Sequence, residues 1–242
     1  MLRFLLAFAA FAAAISASHA IVGGSAGEHE AQRHTVFVTS RVQDCSGTLI
    51  ARDLVLTAAH CVTSGGSFSV STSAGSIAVA QVVVHPAFRR DSYETHKPSP
   101  DIAILKLASP ASRPLRPARL ATEKAFPARG TLFVIAGYGE GTEGDRRIGT
   151  FRTAQLINVG TTGGIMLRLQ RQKDAPPAGS CTGDSGGSAY RAENNVLVLY
   201  GVIAWAGGRP GSNCGAVTGI VLVANQIDWI RATANRLGSK LD

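Results

Sequence analysis

The amino-acid sequence predicts an all-β protein that ends in one short helix. Its 242 residues include 27 glycines and many short runs of Val, Ile, Thr and Ser separated by turn residues, which is typical of antiparallel strands. Only from Asn225 do apolar residues recur with helical spacing, and Gly238 stops that pattern. A chain of this length holds one large or two small domains, and we expect two β-barrel halves.

Strands are predicted where β-branched and apolar residues form short runs between turns, at 35–38, 47–56, 76–84, 101–107, 131–136, 151–159, 165–170 and 195–204. The polar segment 86–100 between two prolines is expected to be an exposed loop, and the glycine-rich segment 160–164 a tight connection. Prolines 110, 114 and 117 mark a crossover. We therefore place the two halves at about 21–115 and 116–224, and the helix at about 225–237.

Residues 1–20 have the pattern of a secretory signal peptide. Arg3 precedes an apolar run from Phe4 to Ile15, and the segment ends with small residues around His19, up to Ala20. The apolar run is shorter than the roughly 20 residues that span a bilayer. We expect a mature protein that is exported to the extracellular space or the periplasm and has no membrane anchor.

The four cysteines, Cys45, Cys61, Cys181 and Cys214, are an even number in an exported chain. Disulfides are the favoured interpretation and a zinc site the lesser one. Three pairings are open, and no C-x-x-C spacing supports a metal.

The formal net charge of +8 falls to +7 when Arg3 is removed with the signal peptide. The basic residues are dispersed along the chain rather than clustered. Neither a nucleic-acid groove nor a nucleic-acid partner is therefore expected.

The segment from Cys181 to Gly187 places Ser185 directly after Asp184 and among small residues. Such neighbours leave a serine hydroxyl open to a substrate. Gly183 lets a backbone N–H approach a substrate carbonyl, so one turn can supply a nucleophile and an oxyanion donor. The alternative is a glycine-rich surface turn, because such motifs are only hypotheses.

A serine nucleophile needs an imidazole base and a carboxylate that orients it. His60 follows small residues in Thr57-Ala58-Ala59-His60-Cys61, and Asp101 opens the apolar run Ile102–Leu107. Taken separately, His60 could be an ordinary buried histidine, and Asp101 could simply begin a strand at the surface. A buried carboxylate needs a partner, and His60 is the candidate partner of Asp101.

Ile21-Val22-Gly23-Gly24 begins immediately after the predicted cleavage site. Alone, this sequence is also compatible with a strand end. Cleavage after Ala20 would create an α-ammonium group on Ile21, and such a charge can pair with a buried carboxylate.

These four motifs, in this order, resemble the chymotrypsin family of serine peptidases, and the resemblance covers residues 21–238. It implies two antiparallel six-stranded β-barrels, with the active site between them, and a short C-terminal helix. Ser185 would be the nucleophile, His60 the general base and Asp101 the group that orients His60. The resemblance implies no metal and no organic cofactor.

The resemblance implies further roles for residues around the serine. Backbone N–H groups of Gly183 and Ser185 would form the oxyanion hole, and the ammonium of Ile21 would pair with Asp184. The implied disulfides are Cys45–Cys61 and Cys181–Cys214.

The chain departs from the family pattern in its implied specificity pocket, which consists of Gly179, Ser180, Ala204, Trp205, Ala206 and either Thr218 or Gly219. An uncharged Gly179 at the pocket floor disfavours basic substrate residues, because a buried cation would stay unpaired. Ala204 replaces a serine that usually contacts the catalytic carboxylate. Ala206 replaces a glycine and narrows the entrance. We expect an elastase-like preference for small apolar residues, with a chymotrypsin-like preference as the alternative.

The resemblance thus predicts a secreted, monomeric serine endopeptidase that acts on protein or peptide substrates and is open to protein inhibitors. The alternative function is a catalytically weak or inactive homologue that uses its basic surface for binding.

Overall fold

The computed structural model describes residues 21–72, 75–92, 98–145 and 147–241. The predicted signal peptide lies outside the described residues. The strands run in chain order as β1 Ser25–Ala26, β2 Thr35–Ser40, β3 Cys45–Ala51, β4 Leu54–Thr57, β5 Phe68–Thr72, β6 Gly75–Val84, β7 Ala103–Leu107, β8 Arg119–Leu120, β9 Leu132–Gly137, β10 Arg152–Thr162, β11 Met166–Gln170, β12 Ser188–Glu193, β13 Val196–Gly207 and β14 Val217–Leu222. One α-helix, α1, follows at Ile227–Arg236.

The first barrel closes in the order β2-β3-β4-β7-β6-β5. Some of its antiparallel neighbours are joined by short turns, such as Arg52–Asp53 between β3 and β4. Side chains from β3 and β4 are buried along their whole length. These strands therefore form a packed interior rather than a pore.

The second barrel closes in the order β9-β10-β11-β14-β13-β12, because β9 pairs with both β10 and β12. Two short strands lie outside this ring: β1 pairs with β10, and β8 pairs with β13. The fold is thus two closed six-stranded antiparallel barrels with a short C-terminal helix. The predicted fold class is confirmed.

The first described residues pack with the second barrel, and the C-terminal helix packs with the first barrel. Ile21 is fully buried in the core of the second barrel, whereas Ile230 and Ala234 of α1 pack into the core cluster of the first barrel. Residues 21–26 associate with the second barrel, because β1 pairs with β10 and the Ile21 side chain is buried in the core of that barrel.

The sequence patterns located most of the strands and missed β5, β12 and β14, as well as the two-residue strands β1 and β8. β12 and β14 are strands in which polar or glycine residues interrupt the apolar pattern, such as Arg191 in β12 and Gly219 in β14. The run 47–56 is two strands rather than one, and the helix begins at Ile227 rather than at 225.

The loop after β6 reaches the second barrel at the hairpin between β10 and β11. A Cβ atom placed on Gly163 would lie 2.5 Å from Cγ of Pro98. The loop is also held to itself, because the Arg89 N–H donates to Ser99 Oγ at 3.0 Å. Residues 93–97 of the expected loop 86–100 lie outside the described residues. The described ends of this loop form one rim of the space between the barrels.

Across the parts of the chain that the structure describes, no helix has the length and apolar character that crossing a membrane requires.

Candidate active site

His60 and Asp101 come from adjacent strands of the first barrel. His60 lies in a 3-10 turn, Ala59–Cys61, directly after β4, and Asp101 lies two residues before β7, which pairs with β4. The disulfide between Cys45 and Cys61 ties this turn to β3. The pairing of the two strands therefore brings the imidazole and the carboxylate together.

Both carboxylate oxygens of Asp101 accept hydrogen bonds from His60. Oδ1 accepts from the backbone N–H at 2.9 Å, and Oδ2 is 2.6 Å from Nδ1. An ionised carboxylate requires Nδ1 to carry the proton, so Nε2 of the neutral ring has a free lone pair. Asp101 is buried, whereas 36% of the His60 side chain is exposed. The ring can therefore meet a substrate while its orienting carboxylate stays shielded.

Ser185 faces the same cleft from the second barrel. The cleft has a volume of about 720 Å³, and its walls include His60 and Asp101 on one side and Gly183, Ser185 and Trp205 on the other. Among the described residues, Ser185 Oγ has no hydrogen-bond partner. The hydroxyl is thus available to a molecule in the cleft, and in unliganded sites the nucleophile–base hydrogen bond is often long.

The turn before Ser185 is held from its buried side. The carbonyl oxygen of Thr182 accepts from the Glu140 N–H at 2.7 Å, and that of Asp184 accepts from the Gly187 N–H at 2.9 Å. In a trans peptide the N–H points away from the C=O. The N–H groups of Gly183 and Ser185 are therefore directed away from these partners, and within the described chain neither has an acceptor.

Gly183 is required by the close approach of another backbone. Its φ is +88°, a value that favours glycine, and a Cβ atom there would lie 2.8 Å from Cα of Gly139. A side chain at this position would displace the N–H group that the turn presents to the cleft.

Asp184 is completely buried beneath this turn. Its Oδ1 accepts from the Gly139 N–H and its Oδ2 from the Cys181 N–H, each at 2.9 Å, and the backbone N–H of Ile21 also donates to the carboxylate. Burial raises the pKa of Asp184 to about 7 despite these donors. All three donors are neutral backbone N–H groups. A positive charge at the Ile21 nitrogen would therefore form an ion pair with the Asp184 carboxylate.

Local sequence explains how Ile21 reaches Asp184. Gly23 has a φ of +67°, and a Cβ atom on it would overlap the carbonyl oxygen of Pro177. The Gly24 N–H donates to the Ile21 carbonyl at 2.7 Å, which closes a tight turn. Only glycine at residue 23 permits this turn, and the turn places Ile21 in the core.

The expected pocket residues divide into two groups. Ala204, Trp205 and Ala206 line the cleft. Four others are buried behind it: Gly179, Ser180, Thr218 and Gly219. Ala204, Trp205 and Ala206 reach the cleft because they are consecutive residues of β13, which runs along it.

The buried group fills the space below the cleft. The Ser180 N–H and Oγ both meet Thr218 Oγ1, each at 2.9 Å. A Cβ atom on Gly179 would lie 2.8 Å from the Gly215 carbonyl carbon, and the indole of Trp205 lies against Gly219. None of these four buried residues lines the cleft itself.

Glu143, which no sequence motif singles out, bridges two loops at the cleft. Its carboxylate accepts from Ser212 Oγ at 2.5 Å and from the N–H and Nδ2 of Asn213, each at 2.8 Å. These hydrogen bonds, led by that from Ser212, lower the pKa of Glu143. The disulfide Cys181–Cys214 joins the same wall to the serine turn. An exposed Glu in a polar loop carries no signal of such a contact in the sequence.

Two barrels with a serine, a histidine and an aspartate at their common cleft are the arrangement of a serine protease. A family model described as Trypsin matches residues 21–230. The chain therefore belongs to the trypsin family of serine proteases, as its motifs predicted.

Relatives agree with this membership, and a solved structure has the same fold. A "Trypsin-like protease" of Streptomyces glaucescens is 31% identical over 221 residues, which cover 80% of this chain and 77% of that protein. "Ovochymase" of Halocynthia roretzi is 29% identical over 219 residues, 79% of this chain but only 13% of that protein. Mouse neuropsin, a serine protease of the limbic system, has a similar fold, with a TM-score of 0.71 and 24% identity over 88% of this chain and 99% of its own.

Proposed function

We propose that this chain is an active serine endopeptidase that hydrolyses peptide bonds through an acyl-enzyme intermediate. The observation that carries the proposal is the hydrogen bond between His60 Nδ1 and Asp101 Oδ2 beside a cleft that also holds Ser185. This pair leaves His60 Nε2 able to accept a proton, and Ser185 Oγ is the hydroxyl with a proton to give.

In the first step, Ser185 Oγ forms a bond to the substrate carbonyl carbon while its proton passes to His60 Nε2. The carbonyl π electrons move onto oxygen, and the N–H groups of Gly183 and Ser185 stabilise that oxyanion, each contributing about 3 kcal/mol. The intermediate then collapses, the C–N bond breaks, and His60 gives its proton to the leaving amine. Water repeats these steps on the ester and releases Ser185.

The substrates we propose are proteins or peptides with a small or uncharged apolar residue before the scissile bond. The packing behind the cleft supports this, because the Trp205 indole lies against Gly219 and the buried Gly179 abuts Gly215. We also propose that the protein acts outside the cytoplasm as a monomer, that it is open to protein inhibitors, and that removal of residues 1–20 exposes the α-amine of Ile21.

The experiment that tests the function combines replacement and labelling of Ser185. Ser185→Ala should reduce peptide hydrolysis at least about a thousandfold, because the nucleophile is lost. An organophosphorus fluoridate should label the mature protein at Ser185, as identified by peptide mass mapping. Ser69, a partly exposed serine of β5 remote from the cleft, provides the control Ser69→Ala, which should keep both hydrolysis and labelling. Label on another serine, or full activity of Ser185→Ala, would contradict the assignment.

A further inference from the structure

Ser46 is a fully buried serine at the contact between the two barrels. It is the second residue of β3, next to Cys45 of the disulfide that supports the His60 turn. Sequence analysis gave it no role. Its surroundings are unusual, because each of its polar groups is engaged with a segment that forms the candidate active site.

The hydroxyl of Ser46 both donates and accepts. Oγ donates to the carbonyl oxygen of Gly183 at 2.9 Å and accepts from the Tyr138 N–H at 2.9 Å. The backbone N–H of Ser46 donates to the carbonyl oxygen of Ser185 at 2.8 Å. Two carbonyls of the serine turn are therefore held by one residue of the opposite barrel.

The first barrel also fixes Ser46. Its carbonyl oxygen accepts from Thr57 Oγ1 at 2.8 Å, and Thr57 ends β4, just before the turn that carries His60. A continuous set of hydrogen bonds thus runs from the strand that presents His60, through Ser46, to the turn that presents Ser185.

These contacts determine how peptide groups of the serine turn are oriented. The Gly183 carbonyl belongs to the peptide group between residues 183 and 184, and the Ser185 carbonyl to that between 185 and 186. The N–H groups of the same peptides donate from Asp184 to the Cys181 carbonyl at 3.1 Å and from Gly186 to the Ile203 carbonyl at 2.7 Å, so Ser46 holds the opposite side of each peptide group. Gly183 has a left-handed φ and no side chain, so its rotation depends on such restraints. Each of these two peptide groups adjoins a peptide group that carries an oxyanion donor. Holding both carbonyls therefore limits the backbone rotations that would turn the N–H groups of Gly183 and Ser185 away from the cleft.

We propose that Ser46 is a positioning residue of the oxyanion hole, and this inference rests on the proposed function. Ser46 touches neither substrate nor reacting atoms, because it is fully buried. Its hydroxyl keeps the two oxyanion donors in place relative to His60. Removal of the hydroxyl leaves the Gly183 carbonyl and the Tyr138 N–H without this partner, and the turn loses one of its restraints.

The effect belongs to the transition state more than to substrate binding. Oxyanion donors are most effective when they are fixed before charge develops on the substrate. Ser46→Ala should therefore lower kcat by about tenfold or more while KM changes less than about threefold. The affinity for a peptide boronate, which forms a tetrahedral adduct with the nucleophile, should fall in parallel with kcat.

Thr48 supplies a matched control. It lies on the same strand, is fully buried, and its Oγ1 is 2.6 Å from Ser188 Oγ across the same contact between the barrels. Thr48→Val removes a hydroxyl of similar burial without touching residues 183–185. Both variants should lower the melting temperature, but only Ser46→Ala should lower kcat and boronate affinity.

The experiment uses mature wild type, Ser46→Ala and Thr48→Val, with kcat expressed per site titrated by an acylating ester. Equal losses of kcat in both variants, or an unchanged kcat in Ser46→Ala, would overturn the role of Ser46 in an active enzyme. If Ser46→Ala does not fold, Ser46→Cys, which keeps a weaker donor at similar volume, must show an intermediate kcat. A wild type without peptidase activity would refute the proposed function itself. An active wild type with an unchanged Ser46→Ala variant would refute only the role of Ser46.

Discussion

The backbone N–H of Ile21 donates a hydrogen bond to the buried carboxylate of Asp184. In the full chain this nitrogen is a neutral amide, because Ala20 precedes it. The carboxylate is fully buried, and burial raises its pKa to about 7. Cleavage after Ala20 would convert the amide donor into an ammonium at the same place and give the buried negative charge a positive partner.

We therefore expect a chain that starts at Ala20 to be less stable and less active at pH 8 than one that starts at Ile21. In the longer chain the folded-state pKa of Asp184, about 7, is above its unfolded value of 3.8. The folded state binds more protons between these values, so its stability falls as pH rises from about 4 to about 7 and then levels off. Urea unfolding at pH 4 to 8 and peptide hydrolysis at pH 8 would measure both effects.

The chain that starts at Ile21 has its pH dependence in a higher range. Pairing with Asp184 raises the pKa of the α-amine above its free value of about 8, so activity persists below that value and is lost as pH rises through the raised one. Asp184→Asn in the longer chain is the control and should remove the fall in stability between pH 4 and 7. Full activity of the Ala20 chain, or of any secreted form with another N-terminus, would contradict the mechanism.

A second prediction concerns Ala204, which lines the cleft beside Asp101. Within the described chain, both hydrogen bonds to the Asp101 carboxylate come from His60. Ala204→Ser adds a hydroxyl that can donate to this carboxylate and fix its orientation. One hydrogen bond contributes about 1 kcal/mol, so we expect kcat to rise about fivefold. Ala204→Gly changes the same position without a donor, and an equal rise there would show that orientation of Asp101 is not the cause.

A third prediction concerns the disulfide Cys181–Cys214. Its cysteines are 33 residues apart, a separation for which loss of the bond lowers the free energy of unfolding by about 4 kcal/mol in the chain-entropy model. It also joins the serine turn to the loop that Glu143 holds. We expect Cys181→Ala/Cys214→Ala to raise KM as well as to lower the melting temperature.

The control for the disulfide is Glu143→Gln, which weakens the hydrogen bonds to Ser212 and Asn213 and leaves the covalent bond intact. It should raise KM with a smaller loss of stability than the disulfide variant. Peptide mapping without reduction should recover Cys181 linked to Cys214. A Cys61–Cys181 peptide would contradict the pairing.

The motifs, together with the family resemblance that they carry, predicted the architecture and nominated the residues proposed to react. Ser185, His60 and Asp101 lie in short motifs whose composition follows from their chemistry, since small residues must surround an accessible hydroxyl. The paired strands β4 and β7 then bring His60 and Asp101 together. The pairing of β4 with β7 is non-local, so no local pattern encodes the 2.6 Å contact.

Other features depend on which segments meet in three dimensions. Ser46 has the pattern of an ordinary strand residue, and its role comes from the Gly183 and Ser185 carbonyls of the other barrel. Ile21 crosses to the second barrel because Gly23 permits a turn against Pro177. Such contacts join residues more than 130 positions apart, and periodicity within a short window contains no trace of them.

The last prediction concerns the residue that the enzyme accepts before the scissile bond. Ala206 lines the cleft, and behind it the Trp205 indole lies against Gly219 while Gly179 abuts Gly215. None of these groups is charged, so a substrate Lys or Arg would bury an unpaired cation at a cost of several kcal/mol. With matched peptides that differ only at this residue, kcat/KM should be highest for Ala or Val, lower for Leu and Phe, and at least about a hundredfold lower for Arg. Ala206→Gly removes the methyl group at the entrance and should raise kcat/KM for the Phe substrate relative to the Ala substrate. Gly179→Asp should not create cleavage after Arg, because the new Cβ would lie 2.8 Å from the Gly215 backbone. A wild-type preference for Arg would show that a carboxylate elsewhere in the cleft, and not the residue at position 179, sets the specificity.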